Sequence, residues 1–344
     1  MLLKLVTAGL AATLIAAPVA AAQGDGDRAF RPSVQTLSVI GDIPYDDALI
    51  AEFPADVAQI NADPDVRGVI HLGDIKNGSS RCDDTYFSAR LADFGRFADP
   101  LVYTPGDNEW TDCHRANNGG YLPTERLAKI RELFFAHPGQ TLGGHAHVPF
   151  QSRALPENVM WDAAGVQYGV VHVVGSNDDQ AVWFGDRTDP ATGAPRPETP
   201  AETALRTREY SGREAAALAW IHRIFDAAQD RRAPGVVLGM QADMWDGLPS
   251  DQTAFAPIKA AIAARAASFG RPVLLMEGDS HQIKVDTPAG MPANLTRVVV
   301  QGSTSVPHEW LKLSVNPGSP RVFSCQNVVF VSGAVSPCPG SLAP

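Results

Sequence analysis

Positive charge is scarce in this 344-residue chain, and that scarcity already excludes one class of partner. Lys and Arg total 28 against 38 Asp and Glu, so the formal net charge is −10. No long basic run occurs anywhere in the sequence. Because binding to a nucleic-acid backbone needs clustered Lys and Arg, we expect no stable nucleic-acid partner.

The chain also lacks long apolar runs and a catalytic-serine motif. After residue 22 no stretch is long and apolar enough to cross a bilayer, so we expect no membrane span in the mature chain. No Gly-x-Ser-x-Gly sequence occurs, which argues against a serine hydrolase. The composition that remains, 44% hydrophobic and 19% charged, is that of a globular protein with a sizeable core.

Residues 1–22 have the pattern of a targeting segment, with a positive start at Lys4, an apolar stretch and small residues up to Ala22. This pattern predicts a secretory signal peptide cleaved near Ala22, with an uncleaved membrane anchor as the alternative. Residues 23–34 are polar and Gly-rich, which predicts a flexible lead-in. We therefore expect a secreted or periplasmic protein in which residues 35–344 form a single domain with a C-terminal β segment.

Only four cysteines are present, and their even number suggests two disulfides in a chain that leaves the cytosol. We expect Cys82 to pair with Cys113 and Cys325 to pair with Cys338. The first pair would join two loops that leave the same edge of a sheet, and the second would close a short C-terminal loop. A zinc site is the alternative, but no Cys-x-x-Cys spacing supports it.

Three short apolar runs in the first third of the chain each lead to an Asp that follows a Gly. The runs and their acids are 39–40 with Asp42, 69–72 with Asp74, and 101–103 with Asp107. Between the runs, residues 47–61 and 84–98 have apolar positions at helical spacing. This order predicts successive strand–helix–strand units of a parallel sheet.

The middle of the chain predicts a hairpin, a long loop and a further helix. Two β-rich runs, 159–162 and 166–174, are joined by Ala-Ala-Gly, which indicates a hairpin. Residues 186–207 are rich in Pro and Thr and are predicted to form a long loop. Ser211 and Glu214 then fit a capping box that would open the next helix.

Acidic and polar side chains gather where the strand-like runs end. The residues at these places are Asp42, Asp74, Asp107, Gln241, Asp279 and His281. Because ligands bind outside the carboxyl ends of strands in open α/β sheets, we expect these side chains to converge. Clustered carboxylates raise one another's pKa, and divalent cations relieve that repulsion. A single Gly-Asp is equally consistent with a turn or a helix cap, so the prediction of a metal site depends on the whole set.

The order of these motifs resembles that of the calcineurin-like metallophosphoesterases, including the purple acid phosphatase branch. The resemblance covers about residues 36–285, and its clearest stretches are His71–Asp74 and Thr104–Glu109. It implies an α/β fold, a four-layer α-β-β-α sandwich of two mixed sheets flanked by helices. It also implies a two-metal centre that hydrolyses phosphate esters.

Carried onto this sequence, the resemblance implies two sets of metal ligands that share Asp74. The implied ligands of the first ion are Asp42, Asp74, His281 and, where the purple acid phosphatases have a Tyr, Asn77. The implied ligands of the second ion are Asp74, Asp107, Gln241 and Asp279. These donors are mostly oxygens, so two divalent ions such as Mn, Mg, Ca or Fe are expected rather than Zn.

Several positions depart from the family's motifs. Pro44, Asn108 and Gln241 stand where the family has His, and Asp279 replaces the first His of Gly-His-x-His. Asp107 stands where the family has a ligand Asn. Most of these replacements keep an oxygen that can bind a metal, so we expect metal binding to persist.

Four residues near the motifs are candidates for contact with substrate. Asn108 can donate a hydrogen bond to a leaving group but cannot supply a proton. His114 is the nearest alternative acid, unless it is a solvated loop residue. Lys76 and Arg81 follow the shared Asp74 and are candidates to bind a phosphate oxygen, unless they are ordinary surface charges.

The sequence thus predicts a secreted or periplasmic, metal-dependent phosphoesterase. It would hydrolyse mono- or diesters of a small phosphorylated substrate with a hydroxide that bridges two metal ions. The alternative is a catalytically inactive protein on the same fold that binds metal or phosphate. The sequence does not indicate which oligomeric state the protein adopts.

Overall fold

The computed structural model describes residues 34–340 and Leu342. The predicted signal peptide and nearly all of the predicted lead-in lie outside these residues. The bounds of the helices and longer strands follow the predicted alternation closely in the first third of the chain. In chain order the elements are β1 (Gln35–Ile40), α1 (Asp47–Ala62), β2 (Val66–His71), α2 (Asp84–Phe94), β3 (Pro100–Tyr103), α3 (Pro123–Phe134), β4 (Leu142–Gly143), β5 (Phe150–Ser152), β6 (Leu155–Ala163), β7 (Val166–Val170), α4 (Pro200–Asp230), β8 (Val236–Gly239), α5 (Ala256–Phe269), β9 (Val273–Glu277), β10 (Lys284–Asp286), β11 (Leu295–Val299), β12 (Glu309–Val315), β13 (Phe323–Val329) and β14 (Val335–Pro337).

These strands form two seven-stranded sheets within the described residues. The order in the first sheet is β14-β13-β12-β1-β2-β3-β4, and in the second it is β10-β11-β9-β8-β7-β6-β5. Strands β1, β2 and β3 pair in parallel in the first sheet, as do β7, β8, β9 and β11 in the second. The outer strands pair antiparallel, so both sheets are mixed.

Apolar side chains form three packed layers, one between the sheets and one outside each of them. Leu37 of the first sheet and Leu274 of the second belong to the central layer. Phe53 of α1 belongs to the layer outside the first sheet, and Trp220 of α4 and Ile262 of α5 belong to the layer outside the second. Each large apolar side chain buried in this way contributes about 1.5–3 kcal/mol. The predicted fold class, a four-layer α-β-β-α sandwich, is confirmed.

Helix α4 begins earlier than the sequence predicted. The loop predicted over 186–207 ends at Thr199, whose Oγ1 accepts from the N–H of Glu202 at 3.3 Å while Glu202 Oε2 accepts from the N–H of Thr199 at 2.7 Å. This is the capping box, and the predicted one at Ser211 lies inside the helix. Pro200 favours the earlier start, because its fixed φ suits the first helical position. Neither α4 nor any other described helix has the length and apolarity to cross a membrane.

Both predicted disulfides are present in the structure. Cys82 bonds to Cys113 and Cys325 bonds to Cys338, with Cα separations of 5.8 and 5.6 Å. The first disulfide joins the loop after β2 to the 3-10 turn that follows β3, while the second joins β13 to the chain just beyond β14. The Cys82–Cys113 bond therefore crosslinks two loops that carry candidate metal ligands.

Candidate metal centre

The carboxyl ends of strands from both sheets meet at one edge of the sandwich. Asp42, Asp74 and Asp107 follow β1, β2 and β3, and Asp279 follows β9. Asp74, Asp107 and Asp279 each offer a carboxylate oxygen, and these oxygens lie within 4.8 Å of one another. Asp42 lies beside this carboxylate triad, because its two oxygens accept from the N–H of Asp279 at 3.1 and 3.0 Å. The structure therefore brings together the four acids predicted to converge.

The loops after β2 and β3 approach each other so closely that one position requires glycine. A Cβ on Gly106 would lie 2.0 Å from Asp74 Oδ1 and 2.4 Å from the Asp74 nitrogen. Glu109 Oε1 accepts from the N–H of Asp74 at 3.1 Å and from that of Gly106 at 2.7 Å. The Tyr103 hydroxyl donates to the same oxygen at 2.8 Å. Glu109 thus holds the two loops together and fixes where Asp74 lies.

Four residues at this edge share an unusual backbone conformation. The φ angles of Asp42, Asp74, Asp279 and His281 are 56°, 57°, 68° and 62°. Non-glycine residues adopt positive φ uncommonly, and such strained residues cluster at functional sites. Four of the six strand-end residues predicted from the sequence therefore share this conformation.

The carboxylates of this edge are unfavourable as unpaired anions. Burial raises the pKa of Asp42 to about 8, against the lowering effect of its hydrogen bond from Asp279. Burial, with the charge of Asp107, also raises the pKa values of Asp74 and Asp279 well above their ordinary range. A divalent cation would offset this repulsion, so the donor set fits one.

Tyr45 lies among the remaining candidate ligands, although no sequence motif singled it out. Its hydroxyl oxygen is 3.4 Å from Asp42 Oδ1, 3.1 Å from Asp74 Oδ2 and 3.3 Å from His281 Nε2. Burial and the nearby carboxylates raise the pKa of Tyr45, so the hydroxyl stays protonated and can donate to Asp42 and Asp74. The available signal was the position of Tyr45 directly after Pro44, in a motif that departs from the family.

Gln241 does not present its oxygen to the candidate ions. Its Oε1 accepts from the N–H of Gly175 at 2.6 Å, which fixes the orientation of the side-chain amide. Its Nε2 consequently faces the carboxylates and donates to Asp107 Oδ1 at 3.1 Å. In place of the predicted role as a metal ligand, Gln241 orients Asp107.

Asn77, predicted to help bind the first ion, uses its side-chain oxygen locally. Oδ1 accepts from the N–H groups of Ser79 and Ser80 at 2.8 and 2.7 Å. Such a side-chain bond closes a turn of its own chain. The Asn77 oxygen is therefore occupied within its own loop.

The two cations predicted to bind phosphate are directed away from the site. Lys76 is fully buried, and its Nζ donates to the carbonyls of Asn77 and Asn108 at 2.8 Å each. Arg81 is exposed and pairs with Asp83 at 3.0 Å. Neither side chain has the placement that the predicted contact with substrate requires.

Of the two predicted catalytic residues, Asn108 contacts candidate ligands and His114 contacts Phe184 instead. Asn108 lies within the site, where its Nδ2 donates to Asp74 Oδ2 at 2.6 Å and to the Tyr45 hydroxyl at 3.1 Å. His114 instead accepts from the N–H of Phe184 at its Nδ1, at 2.9 Å, and lines a cavity of about 610 Å³. Burial lowers the pKa of His114 to about 4, so its ring is neutral at ordinary pH.

A short left-handed turn packs against Asp107. The φ and ψ angles of Ser176, Asn177 and Asp178 are all positive, between 41° and 53°. Left-handed helical backbone costs roughly 1–2 kcal/mol per residue, so the surrounding structure must hold it. Ser176 Oγ lies 2.8 Å from Asp107 Oδ2 and 3.1 Å from Asp112 Oδ1. The sequence shows only a polar stretch after β7, from which this turn could not be predicted.

Comparisons with known proteins bear on the fold. No family model matches the chain, and no curated protein matches it. Among solved structures, the purple acid phosphatase PPD1 from yellow lupin (Lupinus luteus) seeds is similar at 12% identity and a TM-score of 0.51, over 90% of this chain and 53% of that one. GAP50, the anchor in the inner membrane complex of Plasmodium, is similar at 9% identity and a TM-score of 0.49, over 90% of this chain and 89% of that one. The chain thus has a metallophosphoesterase-like fold and spans about half the length of the lupin phosphatase.

Proposed function

We propose that this protein is a metal-dependent hydrolase of phosphate esters. The observation that carries the proposal is the carboxylate triad of Asp74, Asp107 and Asp279, whose oxygens lie within 4.8 Å of one another. The triad lies at the strand edge where open α/β sheets bind ligands, on a metallophosphoesterase-like fold. The strained backbone of Asp74 and Asp279 supports a functional reason for the cluster.

Two overlapping donor sets support the two-ion centre that the family resemblance implies. One set combines Asp42, Asp74 and His281 with the oxygen of Tyr45, and the other is the carboxylate triad. Most of these donors are hard oxygens, which suit Mn, Mg, Ca or Fe better than Zn. Bound divalent ions would lower the pKa of a coordinated water and hold phosphoryl oxygens, which is the chemistry that ester hydrolysis needs.

The polar residues of the chain orient this site, but none of the predicted ones supplies a proton to the leaving group. Asn108 donates to Asp74 and does not release a proton at ordinary pH. His114 is held by Phe184 and is neutral. We therefore expect phenyl esters, whose leaving groups are stable as anions, to be hydrolysed faster than alkyl esters.

We also propose that the protein acts outside the cytosol. Its two disulfides support this location, because disulfides persist in oxidising compartments and are rare in the cytosol. The predicted signal peptide over residues 1–22 would lead to secretion or to the periplasm. Mass spectrometry of the exported protein tests this, with a mature N-terminus near Gln23 as the expected result. Retention of residues 1–22 would instead support the uncleaved anchor.

Metal content is the first test of the proposed activity. Protein purified without chelators is expected to contain about two divalent ions per chain, measured by elemental mass spectrometry. It is also expected to cleave a chromogenic phosphate monoester or diester in a reaction that EDTA stops. No bound metal after dialysis against Mn, Mg and Ca would overturn the proposal. Bound metal without cleavage of either ester would favour the alternative, a non-catalytic metal- or phosphate-binding protein.

A further inference from the structure

Arg115 is a partly exposed cation that neither the motifs nor the family resemblance identified. It lies between two 3-10 turns, Thr111–His114 and Ala116–Asn118. Its NH1 is 2.6 Å from Asp112 Oδ2, and its side chain is 40% exposed while that of Asp112 is 4% exposed. Since a guanidinium has five N–H donors, Arg115 is anchored on one side and keeps donors for another partner.

The anchor of Arg115 connects it directly to the carboxylate triad. Ser176 Oγ lies 3.1 Å from Asp112 Oδ1 and 2.8 Å from Asp107 Oδ2. One hydroxyl group therefore separates the carboxylate that holds Arg115 from a candidate metal ligand. This arrangement places the guanidinium at the rim of the candidate metal centre.

Arg115 and Asn108 both lie close to Gly78. A Cβ on Gly78 would lie 3.4 Å from Arg115 NH1 and 3.2 Å from Asn108 Oδ1. Arg115 NH1 and Asn108 Oδ1 are therefore no farther apart than the sum of these two distances. Asn108 also bonds to Asp74, so Arg115 lies near the candidate metal centre and not on a remote surface.

We infer that Arg115 binds the phosphoryl group of the substrate and gives the protein a preference for phosphate monoesters over diesters. This inference rests on the proposed hydrolase function. A monoester dianion offers three terminal oxygens and two negative charges, whereas a diester offers two terminal oxygens and one charge. A guanidinium binds such oxygens through paired, charge-assisted hydrogen bonds, so the additional oxygen and charge favour the monoester.

The test compares Arg115→Gln with a matched control elsewhere in the chain. Arg96 pairs with Asp93 at the same three-residue spacing, but in the turn after α2, so Arg96→Gln removes a similar surface ion pair. Arg115→Lys keeps the charge and loses the planar fork. For each variant we would titrate inorganic phosphate by calorimetry. We would also measure kcat/KM for 4-nitrophenyl phosphate and bis(4-nitrophenyl) phosphate, and the metal content.

Arg115→Gln is expected to weaken phosphate binding roughly 10- to 100-fold, the range for a lost hydrogen bond to a charged group. We expect a similar fall in kcat/KM for the monoester, a clearly smaller fall for the diester and unchanged metal content. Arg115→Lys should recover part of the phosphate affinity, and Arg96→Gln should behave as the wild type. Equal falls for both esters, or unchanged phosphate affinity, would overturn the inference while leaving the hydrolase proposal intact.

Failure of the proposed function gives a different pattern of results. Wild-type protein without metal that cleaves neither ester would overturn the hydrolase proposal. In that case the phosphate titration is the one remaining test of the role of Arg115. Phosphate binding that depends on Arg115 would support an anion site there, and binding that does not depend on it, or no binding, would overturn the inference as well.

Discussion

Asn108 holds Asp74 through both carboxylate oxygens. The backbone N–H of Asn108 donates to Asp74 Oδ1 at 3.1 Å, and its side-chain Nδ2 donates to Oδ2 at 2.6 Å. Hydrogen bonds to a carboxylate favour its charged form and fix its direction. Asn108 therefore orients the one residue that belongs to both candidate donor sets.

Asp74→Asn should abolish metal binding and hydrolysis, because it replaces a charged carboxylate oxygen with a neutral amide. The new amide would also face the side-chain amide of Asn108, which donates to Asp74 in the wild type. His114→Ala should reduce kcat by far less than the roughly 10²–10⁴-fold effect that is typical of a lost general acid. For each variant, elemental analysis measures metal binding and turnover of a chromogenic ester measures hydrolysis. Equal, mild effects of the two substitutions would mean that the site lies elsewhere.

Tyr45→Phe should lower the affinity for one of two ions, because the ring stays in place while the oxygen near Asp42, Asp74 and His281 is removed. The expected readout is a drop from about two ions to about one per chain after dialysis against metal-free buffer. Tyr86→Phe is the control, since that hydroxyl contacts the Ile75 carbonyl and Arg90, neither of which is a candidate ligand. Full metal retention in Tyr45→Phe would exclude the oxygen as a ligand.

Removal of the Cys82–Cys113 disulfide should affect both stability and metal binding. Each Sγ lies 3.7 Å from the carbonyl oxygen of Asn108, and the bond joins the loops that carry candidate ligands. The double Ser variant should lose about 2–4 kcal/mol of unfolding free energy and bind metal more weakly. The double Ser variant of Cys325 and Cys338 should lose stability but keep its metal affinity. Calorimetric titration with metal measures the affinity of each double Ser variant. Identical metal affinities in the two variants would contradict the crosslinking role of the Cys82–Cys113 bond.

Glu157→Gln should remove stability that depends on pH. Burial would raise the pKa of Glu157, but His172 and Arg131 outweigh it and lower the pKa from 4.5 to about 2. Because the folded-state pKa is the lower one, this stabilisation is complete above pH 4.5 and is lost as the pH falls toward 2. It amounts to about 3 kcal/mol at neutral pH.

Urea unfolding across this pH range checks the expectation. The gap in unfolding free energy between wild type and Glu157→Gln should be widest at neutral pH and narrow progressively in acid. Glu132→Gln, which removes an exposed partner of Lys129, is the control and should show little gap at any pH. A gap that stays constant down to pH 2 would show that the charge of Glu157 contributes nothing.

Local patterns predicted most of the framework that carries the site. The apolar runs that became β1, β2 and β3 and the helical spacing of α1 were readable because alternation and 3.6-residue periodicity are properties of short segments. The start of α4 was predicted wrongly, because Ser211 and Glu214 match a capping box as well as Thr199 and Glu202 do. In the structure the helix begins after Thr199, where the chain leaves the loop and begins to pack on the second sheet.

The residue types of the candidate site were also readable, but not their roles. Asp42, Asp74, Asp107 and Asp279 could be predicted to converge, because the ends of parallel strands share one edge. The use of each polar atom depends on partners far away in the sequence. Gly175 turns the oxygen of Gln241 away from the carboxylates, at a separation of 66 residues.

The sequence by itself determined the strand–helix alternation and the acidic edge, because apolar periodicity and the Gly-Asp ends of strands are encoded in short segments. The four-layer sandwich was implied by the resemblance of these motifs to those of the calcineurin-like metallophosphoesterases. Only the tertiary structure decided that the Tyr45 hydroxyl lies against Asp42 and Asp74, that Lys76 is buried and that Arg115 pairs with Asp112. The physical reason is that hydrogen bonds and close packing between distant segments set the direction of a polar side chain. Sequence spacing carries no record of that direction.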